Sequence, residues 1–483
     1  MDFGSIPFII WFLPVFVLIY YLIPSAQGKK AAIIVGSIFF YGVSCLSWLP
    51  YLLGLTVCAV AAAFWVRKKG KPALIVSVLA FTAFLVWNKA SDQLMPGVSF
   101  VIFTILALLV DTYRKPTEKS LLDLVSYILF FPKLLSGPIA RLEQMETRKV
   151  RLMGEKPTRN GVNIEYGAAC FIIGLGYKVL LANQLAGLWR EIQTIGLPSV
   201  STQLAWMGVI GYSLQLYFDF QGYSLMAIGI AKMLGYTMPN NFDSPYLSKS
   251  VSEFYRRWHI TLGAWFRDYV FYPLSLSKFF TKVGKKGRQV LGNYIGKMLP
   301  VLIPQFIIFF LIGIWHGAEW KYIAFGFYNG TLIVLGILFE EPLRNLAEKL
   351  HINTKCFSWH LFQILRTLVL VALGKIITRA AGFSISVSMM HSMIVNWDTD
   401  ILFNGGLLQL GLDSKDLWVL VLASLVLLAV SIMQECGIKV RETLAKQNLY
   451  FRWAVYLCAV FSLIIFGVYG LNYNAADFIY RGF

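Results

Sequence analysis

Apolar residues in this chain fall into long runs separated by short polar or basic stretches, not into the narrow stripes of water-soluble helices. A helix needs about 20 mostly apolar residues to cross the hydrocarbon core of a bilayer. Runs of that kind begin near Ile6, Ala31, Tyr51, Pro72, Pro96, Ile164, Leu204, Leu299, Trp320, Leu361, Leu417 and Trp453. They predict an all-α polytopic integral membrane protein with about 11–12 transmembrane helices. The first run, Ile6 to Ile23, has no basic region before it and no small-residue cleavage site after it, so it reads as a retained span and not a signal peptide.

Basic clusters follow alternate runs: Lys29 and Lys30, then Arg67 to Lys71, then Arg114, Lys115 and Lys119. The positive-inside rule places these loops in the cytoplasm and the N-terminus outside. Two stretches break the pattern. From Leu121 to Gly137 an apolar run has basic flanks on both sides and backbone breaks at Phe131-Pro132-Lys133 and Ser136-Gly137-Pro138, which predicts a re-entrant hairpin. From Tyr236 to Lys297 basic and aromatic residues mix, and Val251 to Leu274 has the spacing of an amphipathic helix lying in the interface. The acidic stretch Phe383 to Asp416 is expected as an outer loop, Lys439, Arg441, Lys446 and Arg452 fall inside again, and the tail Asn472 to Phe483 is left outside.

Composition sharpens this picture. Hydrophobic residues are 57% of the 483 positions and charged ones 14%, so the solvent for most of the chain is lipid. The net charge of +18 sits in short clusters between apolar runs, so no nucleic-acid partner is expected. The six cysteines are scattered without CxxC or zinc-type spacing and read as packing residues; no metal is expected. There is no Walker A loop, GxGxxG, HExxH or GxSxG, which removes support for ATP-driven transport, metalloprotease action and serine hydrolysis.

Titratable groups within the apolar runs are costly and therefore candidates for function: Asp219, His316 and Lys375. Asp219 lies in Tyr217-Phe218-Asp219-Phe220-Gln221-Gly222-Tyr223-Ser224, where a break at Gly222 could turn backbone groups toward a cavity; a carboxylate that fixes helix packing is the equal alternative. His316, in Gly313-Ile314-Trp315-His316-Gly317, lies 16 residues after Pro300, or ~24 Å along a helix. An imidazole in an apolar site stays neutral, which suits a general base for a hydroxyl; a satisfied core histidine is the bland alternative. His259 stands beside Arg256 and Arg257, whose guanidinium groups could hold the phosphates of a donor; taken alone, a basic interfacial helix drawn to the anionic headgroups of membrane lipid is the more ordinary reading. His351, His360 and His391 have no comparable surroundings.

Taken in order, several strings resemble the membrane-bound O-acyltransferase (MBOAT) family, and within it the bacterial alginate O-acetylation branch. They are Pro96-Gly97-Val98-Ser99-Phe100, Phe131-Pro132 with Ser136-Gly137-Pro138-Ile139, Tyr217-Phe218-Asp219-Phe220 with Gly222-Tyr223-Ser224, and Asn241-Phe242-Asp243-Ser244-Pro245-Tyr246. Arg256-Arg257-Trp258-His259-Ile260, Trp265-Phe266-Arg267-Asp268-Tyr269 and Trp315-His316-Gly317 complete the set. The sequence departs from that branch at Gln221 and Leu225 and in the tail Phe478 to Phe483.

The resemblance implies the MBOAT fold, a ring of helices with re-entrant and interfacial helices around a central conduit. It implies His316 as the catalytic histidine and His259 as the second functional one, with Asp219, Trp315, Tyr223 and Ser224 as supporting or conduit residues. The chain is then one transmembrane domain: N-terminal helices in 1–120, a catalytic core in 121–340 and C-terminal helices in 341–483. The implied donor is acetyl-CoA or another acyl thioester on the cytoplasmic side of a bacterial cytoplasmic membrane. The implied acceptor is an extracellular or cell-wall polysaccharide, reached through an outer-face transferase resembling SGNH hydrolases. D-alanyl transfer to teichoic acid is the alternative within the family. A transporter or lipid flippase is the alternative outside it, although no internal repeat is visible.

Overall fold

The computed structural model describes residues 1–91, 93–116, 119–145, 160–195, 200–398 and 413–469. The tail Asn472 to Phe483 and the basic residues Arg148, Lys149 and Arg151 lie outside them. Along the chain run α1 (Leu13–Leu22), α2 (Ala26–Cys45), α3 (Leu49–Lys69), α4 (Lys71–Ala90), α5 (Val98–Arg114), α6 (Leu121–Ile128), α7 (Phe131–Leu134), α8 (Asn160–Gly176) and α9 (Asn183–Ile195). There follow α10 (Thr202–Met233), α11 (Val251–Arg257), α12 (Ile260–Phe266), α13 (Lys278–His316), α14 (Trp320–Lys349), α15 (Phe357–Arg379), α16 (Phe383–Val395), α17 (Ser414–Glu435) and α18 (Leu449–Phe466).

Every apolar run predicted as a span is a helix. Eight helical segments among the described residues are long and apolar enough to cross a membrane, one of them holding α2 and α3 end to end. The shorter α1 and α5, and α10 with its Gln215, Asp219 and Gln221, are not among them. The protein is an all-helical, multi-pass membrane protein.

The centre is the pair α8 and α10. A Cβ on Gly174 would lie 2.6 Å from the Gly222 carbonyl oxygen, and one on Gly167 would lie 2.6 Å from that of Gly229. Glycines seven apart on each helix therefore let two antiparallel backbones touch, the small-residue packing that replaces the hydrophobic effect in lipid. This corrects the expected break at Gly222: α10 runs through it unbroken, and the glycine serves close approach. By contrast, α17 and α18 keep their apolar faces almost wholly exposed.

Two further expectations change. The Phe383 to Asp416 stretch is not all loop, because its first part is the apolar α16, anchored where the Thr202 hydroxyl donates to Ser392 O at 2.7 Å. Residues 399–412 of it lie outside the described residues. The helix expected over Val251 to Leu274 is broken at Trp258-His259 into α11 and α12, and its aromatic residues pack inward: the Trp265 indole donates to Phe103 O on α5 at 3.0 Å. Finally, α13 turns sharply at Gly292 (φ 82°, ψ 166°), and Gly284 and Gly287 lie against Pro300 and Leu299, so its basic first part folds back on its apolar second part. The Leu121 to Gly137 stretch does reverse: α6 and α7 are separate, both largely buried, and the Tyr127 hydroxyl donates back to Ala140 O at 3.0 Å.

Candidate active site

His259 sits between α11 and α12 in the left-handed region (φ 47°, ψ 52°), a conformation costing a non-glycine residue about 1–3 kcal/mol unless its surroundings impose it. The segment Asn241 to Asp243 imposes it. Asn241 O accepts from Ile260 N at 2.9 Å, and Asp243 N donates to Arg257 O at 3.0 Å, so the backbone is pinned on both sides of the histidine. The Asn241 side chain then fixes the ring. Its Oδ1 accepts from Thr261 N at 3.3 Å and the Thr261 hydroxyl at 2.9 Å, and lies 2.9 Å from His259 Nδ1; its amide donates to Ser224 Oγ at 3.1 Å.

Because that amide oxygen can only accept, Nδ1 carries the proton and Nε2 keeps its lone pair. Nε2 is buried with no hydrogen-bond partner among the described residues. Burial, with nearby His316 adding to it, pushes this imidazole down to about 3, so it is neutral at any physiological pH.

His316 is the last residue of α13. A Cβ on Gly313 would meet Gly326 Cα of α14 at 2.9 Å, so these helices touch just before the corner; a Cβ on Gly317 would lie 2.6 Å from the Tyr322 ring, so the turn after His316 accepts no larger residue without moving that ring. Around the imidazole stand Trp315, Phe325 and Tyr322, with ring centroids at 4.7, 5.5 and 6.2 Å. One face of α5 carries both corners: Phe100 stacks toward His259 at 6.4 Å, and Phe103 lies 5.8 Å from Trp315.

Both histidines line one cavity of about 2340 Å³. Its wall on α15 extends from Trp359 to Arg379, ~30 Å of helix, comparable to the hydrocarbon thickness of a bilayer. Toward the Trp359 end Arg366 donates to the Lys249 carbonyl at 2.8 Å, and Glu340 and Arg344 line the cavity near the end of α14. Arg256 and Arg267 line it as well, and toward the other end of α15 Arg379 lies over the Tyr212 ring, with Gln215 and Tyr322 also in the lining. The lining draws on residues from Leu94 to Arg379, so it extends beyond 121–340 on both sides.

The other sequence candidates divide. Trp315 is buried in the cavity wall. Ser224 holds Asn241 and so stands one bond behind His259. Tyr223 is buried against Phe3, with rings stacked at 4.7 Å, away from the lining. Asp219 is not in the lining either; it forms an ion pair with Lys178 at 2.5 Å, both side chains almost wholly buried. Arg256 faces the cavity, whereas Arg257, turned ~100° away on the same helix, is bound by Glu253 and Glu435. Sequence reasoning missed Asn241 and Thr261 as parts of the site. Asn241 stood in a quoted string, but nothing in the chain's order says that it meets His259. Among the described residues no group of three or more His, Cys, Asp or Glu is placed to hold a metal ion.

Comparison with known proteins bears on the family and the fold. The model of the MBOAT, membrane-bound O-acyltransferase family, matches residues 37–291, just over half of the chain, a stretch that includes His259 and ends before His316. The chain is 29% identical over 462 residues to the "probable alginate O-acetylase AlgI" of Pseudomonas aeruginosa, covering 88% of this chain and 81% of that one. It is 28% identical over 444 residues to the peptidoglycan O-acetyltransferase of Helicobacter pylori, covering 80% and 78%. It is also 30% identical over 251 residues to the teichoic acid D-alanyltransferase of Bacillus subtilis, covering 51% and 59%.

Proposed function

This chain belongs to the membrane-bound O-acyltransferase family and is an O-acyltransferase, and on that premise we propose that it moves an acetyl group from a cytoplasmic thioester to an acceptor hydroxyl on the outer side, for O-acetylation of an extracellular or cell-wall polysaccharide. The observation that carries this reading is the single cavity that joins a basic end to the opposite end past two histidines. The basic end faces the cytoplasm, as the positive-inside rule requires, and Arg256 there takes phosphates of a donor such as acetyl-CoA. His316 is the general base: it takes the acceptor hydroxyl proton as the new C–O bond forms, and the C–S bond breaks with the proton returned to the departing thiolate. His259, neutral and fixed, aligns the thioester or shares the proton. An outer-face transferase of the SGNH-hydrolase type passes the acetyl group on to the glycan.

Purified protein in lipid vesicles, given labelled acetyl-CoA, the outer-face transferase and candidate polysaccharides, tests this. Thiol release with acetylated acceptor is expected from the native protein and none from His316→Ala; full activity in that variant would remove the base assignment. A D-alanyl carrier as the only working donor would instead favour teichoic acid as the acceptor, the reading to which the similarity to the D-alanyltransferase points.

A further inference from the structure

The cations of this chain are accommodated in different ways. Lys375, buried on α15, donates to the Tyr246 hydroxyl at 2.5 Å, and Lys30, Arg141 and Arg257 pair with Asp123, Asp268 and Glu435. Another set has neither arrangement. Lys278, Lys282, Lys285, Lys286, Arg288 and Lys297 are all exposed, and none forms an ion pair among the described residues. Between Asp268 and Glu319 the sequence holds no carboxylate. The Tyr294 hydroxyl donates to Leu338 O at 2.9 Å, which brings Glu340 and Glu341 of α14 toward the same end, but six cations against two carboxylates leave an excess of positive charge.

Five of the six lie on the first part of α13, residues 278–291, which forms an arm folded back on the second part. Phe280, Gly284 and Gly287, at helical spacing, are its packed face; a Cβ on Gly284 would lie 2.7 Å from Pro300, and one on Gly287 would press on Leu299. Leu299 and Pro300 open the apolar run of α13, so these contacts fix the arm where the chain enters hydrocarbon, at the depth of the headgroups. Phe279, Lys282, Lys286 and Val290 follow one another at three- or four-residue spacing and share a side, and all four are exposed. Apolar groups that reach acyl chains beside ammonium groups that reach phosphates suit a helix in an anionic interface. An acidic protein would match the charge but not this depth, nor the exposed Phe279 and Val290.

We propose that the arm is a binding site for anionic phospholipid headgroups of the cytoplasmic leaflet. This goes beyond acyl transfer and does not depend on it.

The test places full-length protein in phosphatidylcholine vesicles with a trace of photoactivatable phosphatidylglycerol or photoactivatable phosphatidylcholine, and maps labelled peptides by mass spectrometry. Phosphatidylglycerol should label residues 278–297 about tenfold or more over phosphatidylcholine. That preference should collapse as salt rises from about 0.1 M to about 1 M. Lys282→Gln combined with Lys285→Gln, Lys286→Gln and Arg288→Gln should abolish it, whereas Lys68→Gln with Lys69→Gln and Lys71→Gln, in a different basic loop, should leave it intact. Equal labelling of the native arm by the two lipids overturns the proposal; if photoactivatable polyglutamate then labels the arm, an acidic protein takes the lipid's place. An unchanged preference in the fourfold variant also overturns it. So does suppression of the phosphatidylglycerol label by an equal amount of glycerol phosphate, since a free phosphate would then suffice. Should the fourfold variant not fold, the native ratio and its loss in salt decide.

Discussion

The two histidine corners of the cavity are built on opposite plans. His259 is held by hydrogen bonds: Asn241 fixes its tautomer, Thr261 and Ser224 fix Asn241, and paired backbone bonds hold a strained residue in place. His316 stands at a helix end closed by Gly317, among the rings of Trp315, Tyr322 and Phe325. A hydrogen-bonded ring has one lone pair aimed in one direction. A ring at a helix end, lined by aromatic faces in the cavity wall, is placed where a proton can be taken up and passed on. The proposed roles follow from that contrast: the fixed imidazole aligns, and the packed one carries the proton in and out.

The largest break in the comparison should come from removing the base itself. His316→Ala is expected to lower acyl transfer by about 10²–10⁴-fold without reducing the amount of inserted protein, read by thiol release per folded molecule. Next comes the Asn241 support. Asn241→Ala should cost about ten- to a hundredfold in kcat, since misorientation is less damaging than loss of the group.

Asn241→Asp sharpens the contrast through pH. Native His259 is held at about 3 against an ordinary 6.5, so its protonation leaves no acid limb near neutrality. A carboxylate against Nδ1–H would favour the imidazolium and move a limb up into the accessible range, seen as activity lost on acidification in the variant and not in the native protein. The same depression bears on stability. Below pH 6.5 the unfolded chain binds a proton that the folded His259 refuses, so its contribution is full above 6.5 and declines as the pH falls toward 3; His259→Gln should flatten that part of a melting-temperature profile.

Apolar run length was enough to place the long helices, because lipid imposes a helix and a minimum length on every crossing. The site was legible only in part. His316 and His259 could be named as titratable groups in unusual surroundings, but Asn241 is 18 positions before His259, and its role depends on a chain reversal that no local pattern encodes. The continuous interfacial helix expected over Val251 to Leu274 failed for the same reason. Its periodicity is real, yet the backbone partners supplied by Asn241 and Asp243 favour a break over continuous helix. Asp219 shows the converse, a conspicuous buried carboxylate that pairs with Lys178, 41 positions away on a different element.

The smaller effects test how finely the corners are tuned. Gly317→Ala would press a methyl group on the Tyr322 ring and should cost about 1–3 kcal/mol in strain, shared between stability and the alignment of His316; kcat should fall while the KM for thioester holds.

The smallest expected difference lies between two adjacent arginines. Arg256 faces the cavity at its basic end and Arg257 is engaged by Glu253 and Glu435. Loss of a phosphate contact weakens donor binding without touching the reacting atoms, so Arg256→Gln should raise the KM for acetyl-CoA about three- to tenfold and leave kcat in place. Arg257→Gln removes partly exposed ion pairs, each contributing about 1 kcal/mol or less, and should shift the melting temperature slightly with KM unchanged. Equal KM effects in the two variants would mean that both guanidinium groups reach the donor. The division of labour read from their orientations on α11 would then be wrong, and the ion pairs of Arg257 would have to open when the thioester binds.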